Sequence, residues 1–366
     1  MRWIIWMMWL VIGPAVTVML WSQQSTGVDT NLRGVSIALT KNARGSKHAV
    51  AWVCGSNGAI LKTTDNGKTW KRLHVAGGDA LDFRGIQAFD EQTAYVMSAG
   101  NGDASRIYKT VDGGDTWKLQ YTDKRKEFFL DDIACTSEKA CFALSDPVDG
   151  KFLMVNTVDG EHWKELPRDS MPAALASEGA FAASSTSLAL FGEKDIYIGT
   201  GGPAARVFHS PDLGKTWSVA TTPILSGEAS QGIFSIARRG NTVVVVGGDY
   251  KSPDKADRVA AYSSDGGATW KLAAQQPMGY RSAVAFVSDD MIVAVGPSGV
   301  DVSYDEGTHW APSQKLNMNA LAMGNGLVVL AVGPKGTVAW SGARASALSA
   351  PLDNSKFADV VGHDKK

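Results

Sequence analysis

A chain of 366 residues with 44% hydrophobic side chains, 39 Gly and 13 Pro is rich in turns and long enough to bury a large core, which excludes a disordered chain. Its 36 basic and 37 acidic side chains nearly cancel, so no long-range field recruits nucleic acid or an anionic membrane surface. Three Cys without a Cys-x-x-Cys pair and six His without metal-ligand spacing exclude a zinc ribbon and a thioredoxin-like centre, and no metal or cofactor is expected.

The first element is an export segment. Arg2 precedes an uncharged apolar run from Trp3 to Trp21, and the polar chain begins at Ser22. A positive residue ahead of such a run holds the N-terminus back and sends the rest of the chain across the membrane. The run is longer than a usual signal core, contains Gly13 and Pro14, and has no small-x-small cleavage site after it. Residues 1–25 therefore read as a signal peptide or as an uncleaved anchor. The expected location is periplasmic, or tethered to the inner membrane and facing the periplasm, with no other membrane contact.

After residue 30 the chain repeats itself, and the repeat is the main signal. In the first unit the strand-like run Ala51 to Cys54 leads through the turn Gly55-Ser56-Asn57-Gly58 to Ala59-Ile60-Leu61 and then to Thr63-Thr64-Asp65-Asn66-Gly67-Lys68-Thr69-Trp70. The pattern Ser/Thr-x-Asp-x-Gly-x-x-Trp returns at Thr110 to Trp117 around Asp112. A copy one residue short runs from Thr157 to Trp163 around Asp159. Full copies come next at Ser210 to Trp217 (Asp212), Ser263 to Trp270 (Asp265) and Ser303 to Trp310 (Asp305), with Gly-rich turns ahead of them. A last turn, Gly333-Pro334-Lys335-Gly336, precedes Thr337 to Ser341 without an Asp and marks a seventh unit.

Each box lies between two apolar runs, as a turn between strands does. Its Asp can accept amide hydrogen bonds from its own turn, its Gly tolerates a positive φ, and its Trp leaves as an apolar wedge between sheets. Six such Asp at repeat spacing are architecture, not catalytic acids or metal ligands. About 47 residues per unit suits a four-stranded propeller blade. The expected fold is all-β: one seven-bladed β-propeller of four-stranded antiparallel blades over residues 30–350, with a polar tail at 351–366. Six or eight blades also fit the count. In the third unit, Ile133 to Leu144 reads as a hairpin with Cys135 and Cys141 on its two arms, within reach of a disulfide; two reduced, packed cysteines are the alternative. Cys54 reads as a buried residue without chemistry.

The openings Leu32-Arg33-Gly34-Val35 and Phe83-Arg84-Gly85-Ile86, with Tyr95-Val96 and the run Lys109 to Trp117, resemble the BNR/Asp-box propellers. Within them they resemble the photosystem II stability and assembly factor group. The resemblance covers nearly the whole chain after residue 30. It implies the propeller fold and an assembly or binding role, although propellers host many functions.

Strand alternation sets the blade openings and Gly turns on one face and the boxes on the other. On the first face Arg33, Arg84 and Arg281 take matched positions, with Asp131 in the third blade. They would ring the channel mouth and fork onto a carboxylate or phosphate; the alternative is that they pair with nearby acids. Departures from the repeat add the insertion Met171 to Ser187 and the loops Ser226 to Gly232 and Gly248 to Asp254. They point to a rim cluster of Glu178, Glu228, Asp249, Tyr250, Tyr280 and Arg281, or else to solvated loops. The expected function is a monomeric, non-catalytic propeller that binds a protein or an anionic ligand. The alternative is a carbohydrate-active hydrolase on the same face, sialidase-like or another glycosidase, although the sialidase Arg-Ile-Pro signature is absent and Tyr280-Arg281-Ser282-Ala283 is its nearest approach.

Overall fold

The computed structural model describes residues 19–41, 47–324 and 328–342. Its strands form seven four-stranded antiparallel sheets, each running outward from a central axis. Blade one is Leu32–Lys41, Lys47–Gly55, Ala59–Thr63 and Lys71–Leu73. The inner strands of blades two to six are Asp82–Ala88, Leu130–Ser137, Leu188–Phe191, Gln231–Arg239 and Ala283–Phe286. Blade seven takes Ala320–Met323, Val329–Val332 and Thr337–Gly342 from the end of the chain, and its outer strand, Leu20–Ser25, from the beginning. The register Leu20↔Gly342 to Ser25↔Thr337 closes the ring, so the propeller has no open seam between its first and last blades.

That closure overlaps the apolar segment expected at 1–25. Met19 and Trp21 are buried in the core shared by blades six and seven. The end of the apolar run is therefore propeller. Residues 1–18 and the tail 351–366 lie outside the described residues.

The middle strands of each blade are buried on both faces, which is why Val50 to Cys54, Ala94 to Met97 and Val243 to Val246 read as nearly continuous apolar runs. The boxes form the turns into the outer strands. In blade one the Thr63 hydroxyl donates to Asp65 Oδ1 (2.8 Å) and accepts from the Gly67 amide (2.9 Å), while Asp65 accepts the Thr69 amide (2.9 Å) and hydroxyl (2.7 Å). Gly67 and Gly114 sit at φ 83° and 91°, and a Cβ on Gly67 would lie 2.6 Å from the Trp340 ring of blade seven. In the shortened copy Asp159 Oδ1 accepts both the Glu161 and His162 amides at 2.8 Å, which absorbs the missing residue. The box Trp wedges between blades as expected: Trp117 meets Trp52 of blade one edge-on at 6.3 Å, and Trp310 is fully buried between blades five and six. Truncating a Trp so enclosed costs about 3–5 kcal/mol.

Cys135 and Cys141 face each other across the blade-three hairpin and form the disulfide; Cys54 is buried and free. Among the described residues no helix is long and apolar enough to cross a membrane.

Candidate functional site

The blade openings and Gly turns share one face, and the insertion occupies it. The segment 171–187 runs across the mouth of the channel. Ser185 Oγ donates to Asp132 Oδ1 of blade three (2.6 Å), Arg84 of blade two donates to the Ala182 carbonyl (2.6 Å), and Ser184 Oγ donates to the Ser282 carbonyl of blade six (2.7 Å). Thr186 Oγ1 donates to Ser235 Oγ of blade five (2.8 Å). Phe181 stacks on Phe234 with centroids 3.8 Å apart, and Tyr280 meets Phe234 edge-on at 4.7 Å. One segment touching four blades is a plug. The ring of arginines around an open mouth is thus replaced by the chain's own loop.

The three arginines do not all share a position. The inner strands of blades one and two carry a bulge between Leu32 and Gly34 and between Phe83 and Gly85, which puts Arg33 and Arg84 in equivalent places. In blade six Ala283 pairs with Val295 as Gly34 pairs with Cys54, so Ser282 matches Arg33, and Arg281 matches the buried Leu32. Arg281 is 1% exposed, and its guanidinium is held by Asp301, itself buried, by the Tyr280 carbonyl and by Ser298. It is an internal ion pair, not a rim cation. Arg84 is spent on Asp82 and the plug. Arg33 makes no salt bridge with a described residue; with the Asn31 amide turned oxygen-first, Arg33 donates to it at 3.0 and 2.9 Å. Burial, then the neighbouring Arg84, lowers the Arg33 pKa from its ordinary value.

Other expected rim residues also turn inward. Glu178 is 4% exposed; its carboxylate is paired with Arg206 and accepts from Thr200 (2.6 Å) and the Leu175 amide (2.8 Å). Tyr280 is buried, and its hydroxyl pKa is pushed up chiefly by that burial. Asp131, in the blade-three bulge, is buried with its Oδ2 unpartnered among the described residues. Burial, then Asp146 and Asp132, raises its pKa well above the carboxylate range. Three of the named residues stay at the surface: Glu228, Tyr250 and the half-buried Asp249. Partial burial opposes ionisation of Asp249, but the Lys251 amide (2.9 Å) and the Ser230 and Gln231 side chains hold its pKa below the ordinary value. Tyr280, Arg281 and Glu178 therefore do not converge with Tyr250 on one exposed pocket.

A cleft of about 570 Å³ opens beside the plug. One wall is Glu127, Asp146, Pro147 and Gly150 of blade three; the other is Leu175 to Phe181 of the plug with Gly201, Gly202 and Ala229. Asp146 Oδ1 accepts the Ala180 amide (3.0 Å), and the approach is close enough that a Cβ on Gly179 would lie 2.8 Å from that oxygen. Burial raises the Asp146 carboxyl to about 6, against the pull of the Ala180 amide. Asp132, fully buried, also rises to about 6, although it accepts from the Leu188 and Ile133 amides and two Ser hydroxyls. Among the described residues these acids form no metal-holding group.

The family described as "Photosynthesis system II assembly factor YCF48" matches residues 19–182. The match takes in the closing strand and blades one to three of the β-propeller. Two solved structures agree with the chain over almost their whole length. "YCF48 bound to D1 peptide" has a TM-score of 0.59 at 12% identity and covers 87% of this chain and 96% of its own. YCF48 from Cyanidioschyzon merolae has a TM-score of 0.58 at 16% identity, covering 87% and 98%. No curated protein sequence matches at a significant level. The matched stretch contributes the blade-three wall of the cleft and the plug as far as Ala182. Gly201, Gly202 and Ala229 come from beyond it.

In the sequence Asp132 stood out only as an acid that could pair with the arginines and Phe181 only as part of the insertion, while Asp146 and Phe234 did not stand out at all. Asp146 had a signal: where other blades turn on Gly55, Gly247, Gly296 or Gly333, blade three has Ser145-Asp146-Pro147. Phe234 had one too, as the aromatic residue at the position held by Arg33 and Arg84.

Proposed function

We propose that this chain is an exported, non-catalytic binding propeller that holds an extended segment of a protein partner on its plugged face, as an assembly factor would. The observation that carries the reading is the cleft beside the plug. Its volume falls within the ~300–1,000 Å³ of ligand sites, and it lies where the chain departs most from its own repeat. The likeness to a YCF48 bound to D1 peptide supports a peptide as the kind of ligand. The Cys135–Cys141 disulfide and the apolar N-terminal run support an oxidising compartment outside the cytoplasm. A photo-crosslinking residue at Leu175, on the exposed cleft wall, should form protein adducts in intact cells, and the same residue at Val111, exposed on the Asp-box face, should not. Equal labelling from both positions, or none from Leu175, would reject the reading.

A further inference from the structure

We propose that the cleft seats a basic residue of the partner segment, a lysine or arginine that enters between Asp146 and Glu127 with its alkyl stem against Leu175 and Phe181. The inference rests on the protein-binding reading above and adds the chemistry of the partner.

The first argument is charge. The cleft is lined by three carboxylates, Glu127, Asp146 and Glu178, and by no Lys, Arg or His. Glu178 is already neutralised by Arg206. Neither Glu127 nor Asp146 makes a salt bridge with a described residue. Asp146 Oδ1 is taken by the Ala180 amide, whereas Oδ2 accepts no hydrogen bond from a described residue and is open to solvent. Asp131, a buried neighbour of Asp146, also has an unpartnered Oδ2 and gives it no positive counter-charge. The nearby cation Arg84 is held by Asp82 and the Ala182 carbonyl. The raised Asp146 pKa is what a partly buried acid without a counter-charge shows.

The second argument is shape. Gly150, Gly179, Gly201 and Gly202 present bare backbone on both sides of the cleft, so an extended chain can come close and exchange main-chain hydrogen bonds. Leu175 is exposed and Phe181 half-buried, which gives the methylenes of a long basic side chain an apolar surface while its head reaches the carboxylates.

The test uses the folded propeller and an immobilised array of 15-residue peptides of random sequence. Bound peptides should be enriched in Lys and Arg, and replacing that residue by Glu in a bound peptide should weaken binding at least about tenfold, as close charge pairs do at interfaces. The double variant Asp146→Asn, Glu127→Gln should weaken the same peptides by a similar factor at a melting temperature no lower than the parent's. The fold is spared because Asn keeps an oxygen for the Ala180 amide and Glu127 is exposed. Bound peptides with no basic preference, or affinities unchanged in the double variant, would overturn this inference and leave the protein-binding reading standing. An array that binds nothing would remove both.

Discussion

At the scale of single residues, burial decides which charged side chains are free to act. Arg33 and Arg281 look alike in the sequence, since each is followed by a small residue and an apolar alternation. Aligning Val284 with Val35 and Ile86 would have set Ser282, not Arg281, opposite Arg33; the shift is invisible unless the bulge in the inner strand is counted. The two arginines should therefore respond differently to removal. Arg281→Ala leaves Asp301 buried and unpaired, which costs about 3–5 kcal/mol, whereas replacing both as Arg281→Met with Asp301→Leu restores most of the loss. Arg33→Ala relieves repulsion from Arg84 and is expected within about 1 kcal/mol of the parent. Urea midpoints for the three variants measure this, and equal losses from the two single substitutions would contradict the placement of Arg281.

At the scale of elements, the structure separates what is local from what is not. An Asp box closes its hydrogen bonds within eight residues, so Thr63 to Trp70 announces its turn without help from the rest of the chain. Six blades could be counted for that reason, and the turn Gly333 to Gly336 marked the seventh. The closing strand could not be read that way: Leu20–Ser25 is made a strand by Thr337–Gly342, more than 300 residues later, and alone it resembles the end of a signal segment. The plug was legible as an insertion but not as a plug, because its partners, Arg84, Asp132, Ser235 and Ser282, come from four separate blades. The closing strand bears on export. A cut after residue 25 would remove the outer strand of blade seven and the buried Met19 and Trp21, leaving Thr337–Gly342 as a bare edge. Under the export proposed above, the mature protein is expected to keep its chain from Met19 onward, which mass analysis of its N-terminus would read. A chain made to begin at Thr26 should melt at a clearly lower temperature.

At the scale of the whole molecule, the acids of the Asp boxes and the buried acids beside the plug are held in opposite states. On the Asp-box face, Asp112 and Asp265 are pulled down to about 2 by hydrogen bonds from Thr116 and Thr269. On the plugged face, Asp132 and Asp146 are raised to about 6 by burial. The signs of their contributions differ. A carboxyl with a raised folded-state pKa holds its proton more tightly when folded, so its stabilisation is complete below the ordinary value near 3.8 and is lost as pH rises through about 6. A depressed carboxyl stabilises above the ordinary value, and that contribution is lost as pH falls through about 2. The melting temperature should therefore climb as pH is lowered from 8 to about 5 and fall again below about 3. The shift at Asp146 is worth on the order of 3 kcal/mol, enough to move the melting temperature by a few degrees. Asp146→Asn keeps the acceptor for Ala180 without the titration and should flatten the climb between pH 7 and 5 while leaving the acid limb in place. If the parent instead melts lower at pH 5 than at pH 8, the mouth acids are not held in the uncompensated state that makes the cleft a seat for a cation.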